Sequence, residues 1–164
     1  MSNIILIGMP ASGKSTVGVI LAKLLGYDFI DTDLVIQGRE GFRLSEIIDK
    51  RGIDGFLKAE EGACLALEAD HSVIATGGSV VYSAAAMERF RGMGRVVYLE
   101  VDFETLGLRL SDIRGRGVVL RPGQTLKTLW EERVPLYQKY ADITVREGAG
   151  TLEDTVARVY RQIT

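Results

Sequence analysis

The stretch Ile4-Ile5-Leu6-Ile7-Gly8-Met9-Pro10-Ala11-Ser12-Gly13-Lys14-Ser15 decides how the rest of the chain is read. Its first part is a continuous apolar run without alternation, the pattern of a strand buried on both faces of a parallel sheet. Gly8 to Ser15 then matches G-x-x-x-x-G-K-[ST], and Val17, Ile20, Leu21, Leu24 and Leu25 follow at helical spacing, with Gly26 placed to end the helix. Strand, glycine loop and helix together form the setting in which this motif wraps phosphate. The loop's N–H groups point inward and the helix dipole adds positive potential. Gly8 and Gly13 are expected to let backbone approach phosphate where a Cβ would intrude. Ala11, Ser12 and Thr16 belong to the same nucleotide contact. Lys14 is expected to reach the β- and γ-phosphates of ATP, and the Ser15 hydroxyl to ligate Mg²⁺.

Working outward, short apolar runs predict further strands over 27–30, 72–75, 96–101 and 143–145. Helical periodicity fills the intervals, over 44–49, 56–69, 84–90, 103–110, 126–137 and 152–163. This alternation predicts an α/β fold, a parallel sheet with helices on both faces. At 164 residues the chain fits a single domain, with no internal repeat or linker. Segment 112–123 breaks the pattern. It is weakly periodic and carries Arg114, Arg116 and Arg121, and a loop of that length inside a compact domain suggests a lid.

Composition excludes several classes. The formal net charge is −2, so no global basic field draws the chain to nucleic acid or anionic lipid, and a bound anion must be held by local groups. No apolar segment approaches the ~20 residues of a membrane span. The opening residues lack the basic region of a signal peptide, which makes a cytoplasmic address the expectation. A single cysteine rules out an internal disulfide, and its neighbours Ala63, Leu65, Ala66 and Leu67 read as core.

Asp31-Thr32-Asp33 follows the second strand. Ligands of parallel sheets bind beyond the carboxyl ends of the strands, so both carboxylates are expected to face the phosphate loop. One would sit near Mg²⁺ and the other would accept the proton of a substrate hydroxyl. Alternatively, Asp33 merely caps the short helix that follows. A rival metal site is the apolar strand ending in Glu100, with Asp102 close behind. Thr76-Gly77-Gly78-Ser79 closes the third strand as either a turn or a close approach to ligand. Arg133 stands beside Pro135, which interrupts a helical stretch; such a guanidinium is solvated by default but could hold a carboxylate in bidentate fashion. His71 has no visible partner and is given no catalytic role.

Taken together these pieces resemble the shikimate kinase family over nearly the whole chain. The order runs from the phosphate loop through Asp31-Thr32-Asp33, Gly41-Phe42-Arg43-Leu44-Ser45-Glu46-Ile47-Ile48, Gly77-Gly78 and the arginine-bearing segment. Arg133-Val134-Pro135-Leu136-Tyr137 and Ala141-Asp142 complete it. The resemblance implies a three-layer α/β/α fold with a five-stranded parallel sheet, of the P-loop kinase type seen in nucleoside monophosphate kinases. It also implies ATP-dependent phosphorylation of the 3-hydroxyl of shikimate with Mg²⁺, by a monomer whose partner is a small molecule.

By the same resemblance Lys14 and Ser15 serve ATP and metal, and Asp31 supports Mg²⁺ through water. Asp33 holds the acceptor hydroxyls, Gly77 and Gly78 contact the acceptor, and Arg133 pairs with its carboxylate. Arg116 closes on the transferring phosphoryl group, and either Arg109 or Arg114 stacks on adenine. Three positions depart from the family pattern. Leu57, in Phe56-Leu57-Lys58-Ala59-Glu60, stands where a carboxylate-binding arginine belongs. Ser79 replaces the third glycine of a triplet, and Arg116-Gly117-Val118-Val119 replaces Arg-Pro-Leu-Leu. Two further readings follow: a same-fold kinase for another small hydroxy acid or polyol, and a non-catalytic ATP-binding regulator.

Overall fold

The computed structural model describes residues 2–111, 120–148 and 150–164. The elements are β1 Asn3–Ile7, α1 Lys14–Leu25, β2 Asp28–Asp31, α2 Thr32–Glu40, α3 Leu44–Ala66 and β3 Ser72–Ala75. A 3-10 turn at Val80–Tyr82 leads to α4 Ala84–Met93, β4 Gly94–Glu100, α5 Phe103–Ser111, α6 Leu126–Tyr140, β5 Ile143–Arg146 and α7 Leu152–Ile163. The strands form one parallel sheet of five in the order β2-β3-β1-β4-β5, as the alternation of apolar runs predicts.

The period of two along each strand divides the core between the two faces of the sheet. Ile5, Ile7, Val96 and Tyr98 pack with Met87 and Phe90 of α4 and Leu129 and Tyr137 of α6. Their neighbours Ile4, Leu6, Val97 and Leu99 turn the other way, onto Val17 and Leu21 of α1 and Val156 and Val159 of α7. Continuous apolar strands are thus the consequence of helices on both sides, and truncating a fully buried member such as Ile5 to alanine should cost about 2–5 kcal/mol. A smaller cluster, Ile36, Ile47, Phe56, Ala59 and Ala63, ties α2 to α3 outside the sheet.

Several boundaries differ from expectation. The two helices read over 44–49 and 56–69 are both present within α3, separated by a kink at Gly52 (φ 72°, ψ 179°), and the second ends earlier, at Ala66. Only glycine takes that backbone conformation readily, so the first helix stops there and the second starts in a new direction. Helix α6 continues through Pro135 to Tyr140 rather than stopping near it. Of the segment expected to form a lid, residues 112–119, with Arg114 and Arg116, lie outside the described residues. Beyond it Pro122 and Gly123 form a turn, and Arg121 Nη2 donates to Asp54 Oδ1 at 2.9 Å. Among the described residues no helix is long and apolar enough to cross a membrane.

Candidate active site

The carboxyl ends of β1, β2 and β3 open into one cleft of about 530 Å³. The first strand delivers the loop from Pro10 to Thr16, the second Asp31 and Asp33, the third Thr76 to Ser79, and α6 contributes Arg133. Residues far apart in sequence converge because parallel strands all end at the same edge.

In the loop half, Gly13 caps α1 with φ 88°, and Lys14 begins the helix. Lys14 Nζ donates to the carbonyls of Gly8 (2.7 Å) and Met9 (2.8 Å) and to Ser12 Oγ (3.3 Å), so the ammonium is folded over its own loop. The Ser15 hydroxyl donates to Asp31 Oδ2 at 3.3 Å. Gly8 has a steric task within the protein itself. It does not line the cleft, and a Cβ on it would lie 2.9 Å from the Leu99 carbonyl oxygen. Its smallness lets the loop pass the end of β4.

In the other half, Asp31 rather than Asp33 caps α2, its Oδ1 accepting from the Asp33 N–H at 2.9 Å. That bond leaves Asp33 on the first turn, with its carboxyl beside Gly77. A Cβ on Gly77 would come within 2.9 Å of Asp33 Oδ1 and 2.8 Å of Glu60 Oε2. One on Gly78 would meet Pro10 Cδ at 2.8 Å and Arg133 Nη1 at 2.9 Å. The glycine pair forms a turn, closed by the Val80 N–H donating to the Gly77 carbonyl at 3.2 Å, and its lack of side chains lets Asp33, Glu60, Pro10 and Arg133 crowd against it. The Tyr137 hydroxyl fixes it from behind by donating to the Gly78 carbonyl at 2.6 Å.

Arg133 overturns the default of a solvated guanidinium. It is 1% exposed, and its Nε donates to the Tyr82 hydroxyl at 3.2 Å. Periodicity of α6 alone could not reveal this, because Tyr82 arrives from the 3-10 turn after β3. A buried cation opening on a cleft is suited to an anionic ligand, which compensates the cost of its desolvation.

Glu60 is the residue that sequence reasoning left without a role. It is 2% exposed, Oε1 accepts from the Ser79 hydroxyl at 2.7 Å, and Oε2 has no partner among the described residues. Burial pushes its carboxyl up from 4.5 to about 7, and nearby Asp33 pushes the same way. The Ser79 bond, Arg133 and Lys14 oppose the rise. The available signal was an acid four residues after Phe56 on an otherwise apolar helix face, alongside the serine that breaks the glycine triplet. Arg43, exposed at the start of α3, also lines the cleft.

Other expected residues fall elsewhere. Neither Glu100 nor Asp102 lines the cleft; Glu100 Oε1 lies 3.3 Å from Arg146 Nε, and Asp102 accepts from Thr105 N–H and Oγ1 at 2.9 Å. Leu57 faces a separate cavity of about 180 Å³, with Ile53, Tyr82, Arg121, Gln124 and Glu132. Arg109 is held by Glu147 and the Ala11 carbonyl. His71 does have a partner, with Nδ1 3.0 Å from Asp70 Oδ2 at the surface, and stays outside the cleft. Cys64 is buried, which pushes its thiol up to about 12 and keeps it inert.

The cleft offers donors that suit Mg²⁺. The Ser15 hydroxyl and Asp31 carboxylate are adjacent hard oxygens, and Mg²⁺ commonly takes one or two such groups together with water and phosphate oxygens. Among the described residues no group of three or more His, Cys, Asp or Glu side chains gathers into an all-protein metal cage.

Comparison with known proteins points the same way. The family model for shikimate kinase matches residues 10–164. The shikimate kinase of Vibrio parahaemolyticus is 40% identical over 147 residues, covering 88% of this chain and 86% of its own. That of Thermodesulfovibrio yellowstonii is 35% identical over 165 residues, covering 99% and 95%. The solved structure of shikimate kinase from Acinetobacter baumannii in complex with shikimate superposes with a TM-score of 0.88 at 33% identity, covering 99% of this chain and 93% of its own. Matched in sequence from the phosphate loop to its last residue, and in fold over almost all its length, the chain belongs to the shikimate kinase family.

Proposed function

We propose that this protein transfers the γ-phosphoryl group of ATP to the 3-hydroxyl of shikimate. The observation that carries the reading is a single cleft holding a phosphate-binding loop, a carboxylate at Asp33 and a buried guanidinium at Arg133. A phosphoryl donor, a hydroxyl and a carboxylate each find a matching group there.

Phosphoryl transfer requires positioning and charge neutralisation more than covalent participation by the protein. Loop N–H groups and Lys14 take the phosphates, and Lys14 exchanges its carbonyl partners for phosphate oxygens when ATP enters. Ser15 and Asp31 hold Mg²⁺, which supplies positive charge to the β- and γ-phosphates when bound. Asp33 orients the acceptor hydroxyl and takes its proton as the new O–P bond forms and the γ-phosphorus bond to the β,γ-bridging oxygen breaks, releasing ADP. Gly77 and Gly78 give the acceptor room against the backbone, and Arg133 holds its carboxylate. Arg116 completes the charge around the transferred group, and Arg109 or Arg114 contacts adenine.

A second reading, a same-fold kinase for another hydroxy acid, is favoured by Leu57, which stands where the family resemblance implies a carboxylate-binding arginine. Coupled ADP release separates the two. Wild-type protein is tested over shikimate, quinate, gluconate and an acceptor-free control. Shikimate-dependent release is expected, and greater catalytic efficiency with another acid would replace the proposal.

A further inference from the structure

The side chain of Arg109, in the last turn of α5, joins two parts of the molecule that are remote in sequence. Its Nη1 donates to the carbonyl of Ala11 at 3.1 Å and to Glu147 Oε2 at 3.3 Å, and its Nη2 donates to Glu147 Oε1 at 2.6 Å. Two features make Glu147 the fixed end of this fork. Its side chain is 4% exposed against 33% for Arg109. Its N–H donates to the Glu100 carbonyl at 2.9 Å, which continues the pairing of β5 with β4 beyond the strand.

At the other end Ala11 has φ 65°, a left-handed conformation that an L side chain adopts reluctantly. Ala11 is also part of the loop that lines the cleft. A strained residue persists only where its surroundings hold it. Here the hold runs from the sheet through Glu147 and Arg109 to the Ala11 carbonyl. We infer that Glu147 is a positioning residue for nucleotide binding, acting through Arg109 to keep the Ala11 peptide in the shape the phosphate loop needs.

This rests on the reading of the loop as the ATP site. It gives Arg109 a task independent of any contact with adenine. The bidentate grip takes the edge of the guanidinium and fixes its plane, so lysine at 109 could not reproduce it.

The test is Glu147→Gln, which keeps the side chain's size and removes its charge. Affinity for ADP by calorimetry, without acceptor, and the Michaelis constant for ATP should both weaken roughly three- to tenfold, as for loss of a partly exposed charged pair. Turnover at saturating ATP and the Michaelis constant for the acceptor should stay within about twofold. Glycine takes a positive φ without steric cost, so adding Ala11→Gly to Glu147→Gln should restore a large part of the loss. A purely structural role would lower the melting temperature and leave the ratio of ATP to acceptor constants unmoved. That result, unchanged ADP affinity, or no recovery in the double variant would overturn the inference. Should Glu147→Gln not fold, Arg109→Gln breaks the same fork from its exposed end and is judged by whether Ala11→Gly restores its ADP affinity, which a lost adenine contact would not allow. A wild type that binds ADP but phosphorylates no shikimate defeats the proposed reaction alone; one that binds no ADP overturns both.

Discussion

Replacing Glu60 with glutamine should make the protein more stable at pH 8 and hardly change it near pH 4. The carboxyl lies at the junction of α3 and the glycine turn, with one oxygen bonded to Ser79 and the other unpartnered among the described residues. Burial pushes its pKa from 4.5 to about 7. A group whose folded value lies above its unfolded value binds more protons when folded, so stability falls as pH rises between the two. The window runs from about 4.5 to about 7, and across it Glu60 should withdraw on the order of 2–3 kcal/mol of folding free energy. Glutamine cannot ionise and can still accept from Ser79, so that loss should vanish. The assay is thermal or urea unfolding of both proteins from pH 4 to pH 8, followed as a difference so that other titrating groups cancel. At pH 8 the variant should melt roughly 4–12 °C higher. A difference that does not vary with pH, or a wild type that gains on glutamine as pH rises, would refute the placement of Glu60.

Lys14→Ala should abolish phosphoryl transfer, because the loop loses the ammonium placed to meet the β- and γ-phosphates; near-normal turnover would remove the loop from the active site. Gly78→Ala should raise the acceptor's Michaelis constant and lower the melting temperature together, since the new methyl meets Pro10 and the Arg133 guanidinium; steady-state kinetics with a melting curve checks both.

The parts of the fold legible in the sequence were those fixed by local pattern. Ile4 to Ile7 must be a doubly covered strand because every residue is apolar, and the loop and helix after it follow from Gly13, Lys14 and the spacing from Val17 to Leu25. The break at Gly52 is legible too, since helical periodicity stops after Asp49 and resumes at Phe56. What periodicity could not supply was burial decided by distant segments. Arg133 looks like a surface residue until Tyr82 and Gly78 are brought against it. Glu60 looks like one polar position on a helix until Ser79 and Gly77 close over it. Both aspartates after the second strand are recognisable as cleft residues, but which of them caps α2 depends on a geometry that either could have adopted. The fork between Glu147 and Arg109 had no local signal at all, because its members come from α5, the end of β5 and the phosphate loop.

Asp33, the carboxylate that shares the cleft with the phosphate loop and Arg133, is assigned the acceptor's proton. The most direct test is a comparison of wild type, Asp33→Asn and Glu100→Gln with ATP, Mg²⁺ and saturating shikimate, following shikimate 3-phosphate by phosphorus NMR. Wild type and Glu100→Gln should accumulate the product at similar rates, while Asp33→Asn should lose roughly 100-fold or more, the usual size of a positioned base. Equal losses in the two variants, or a wild type that forms no shikimate 3-phosphate at tens of millimolar acceptor, would contradict that assignment.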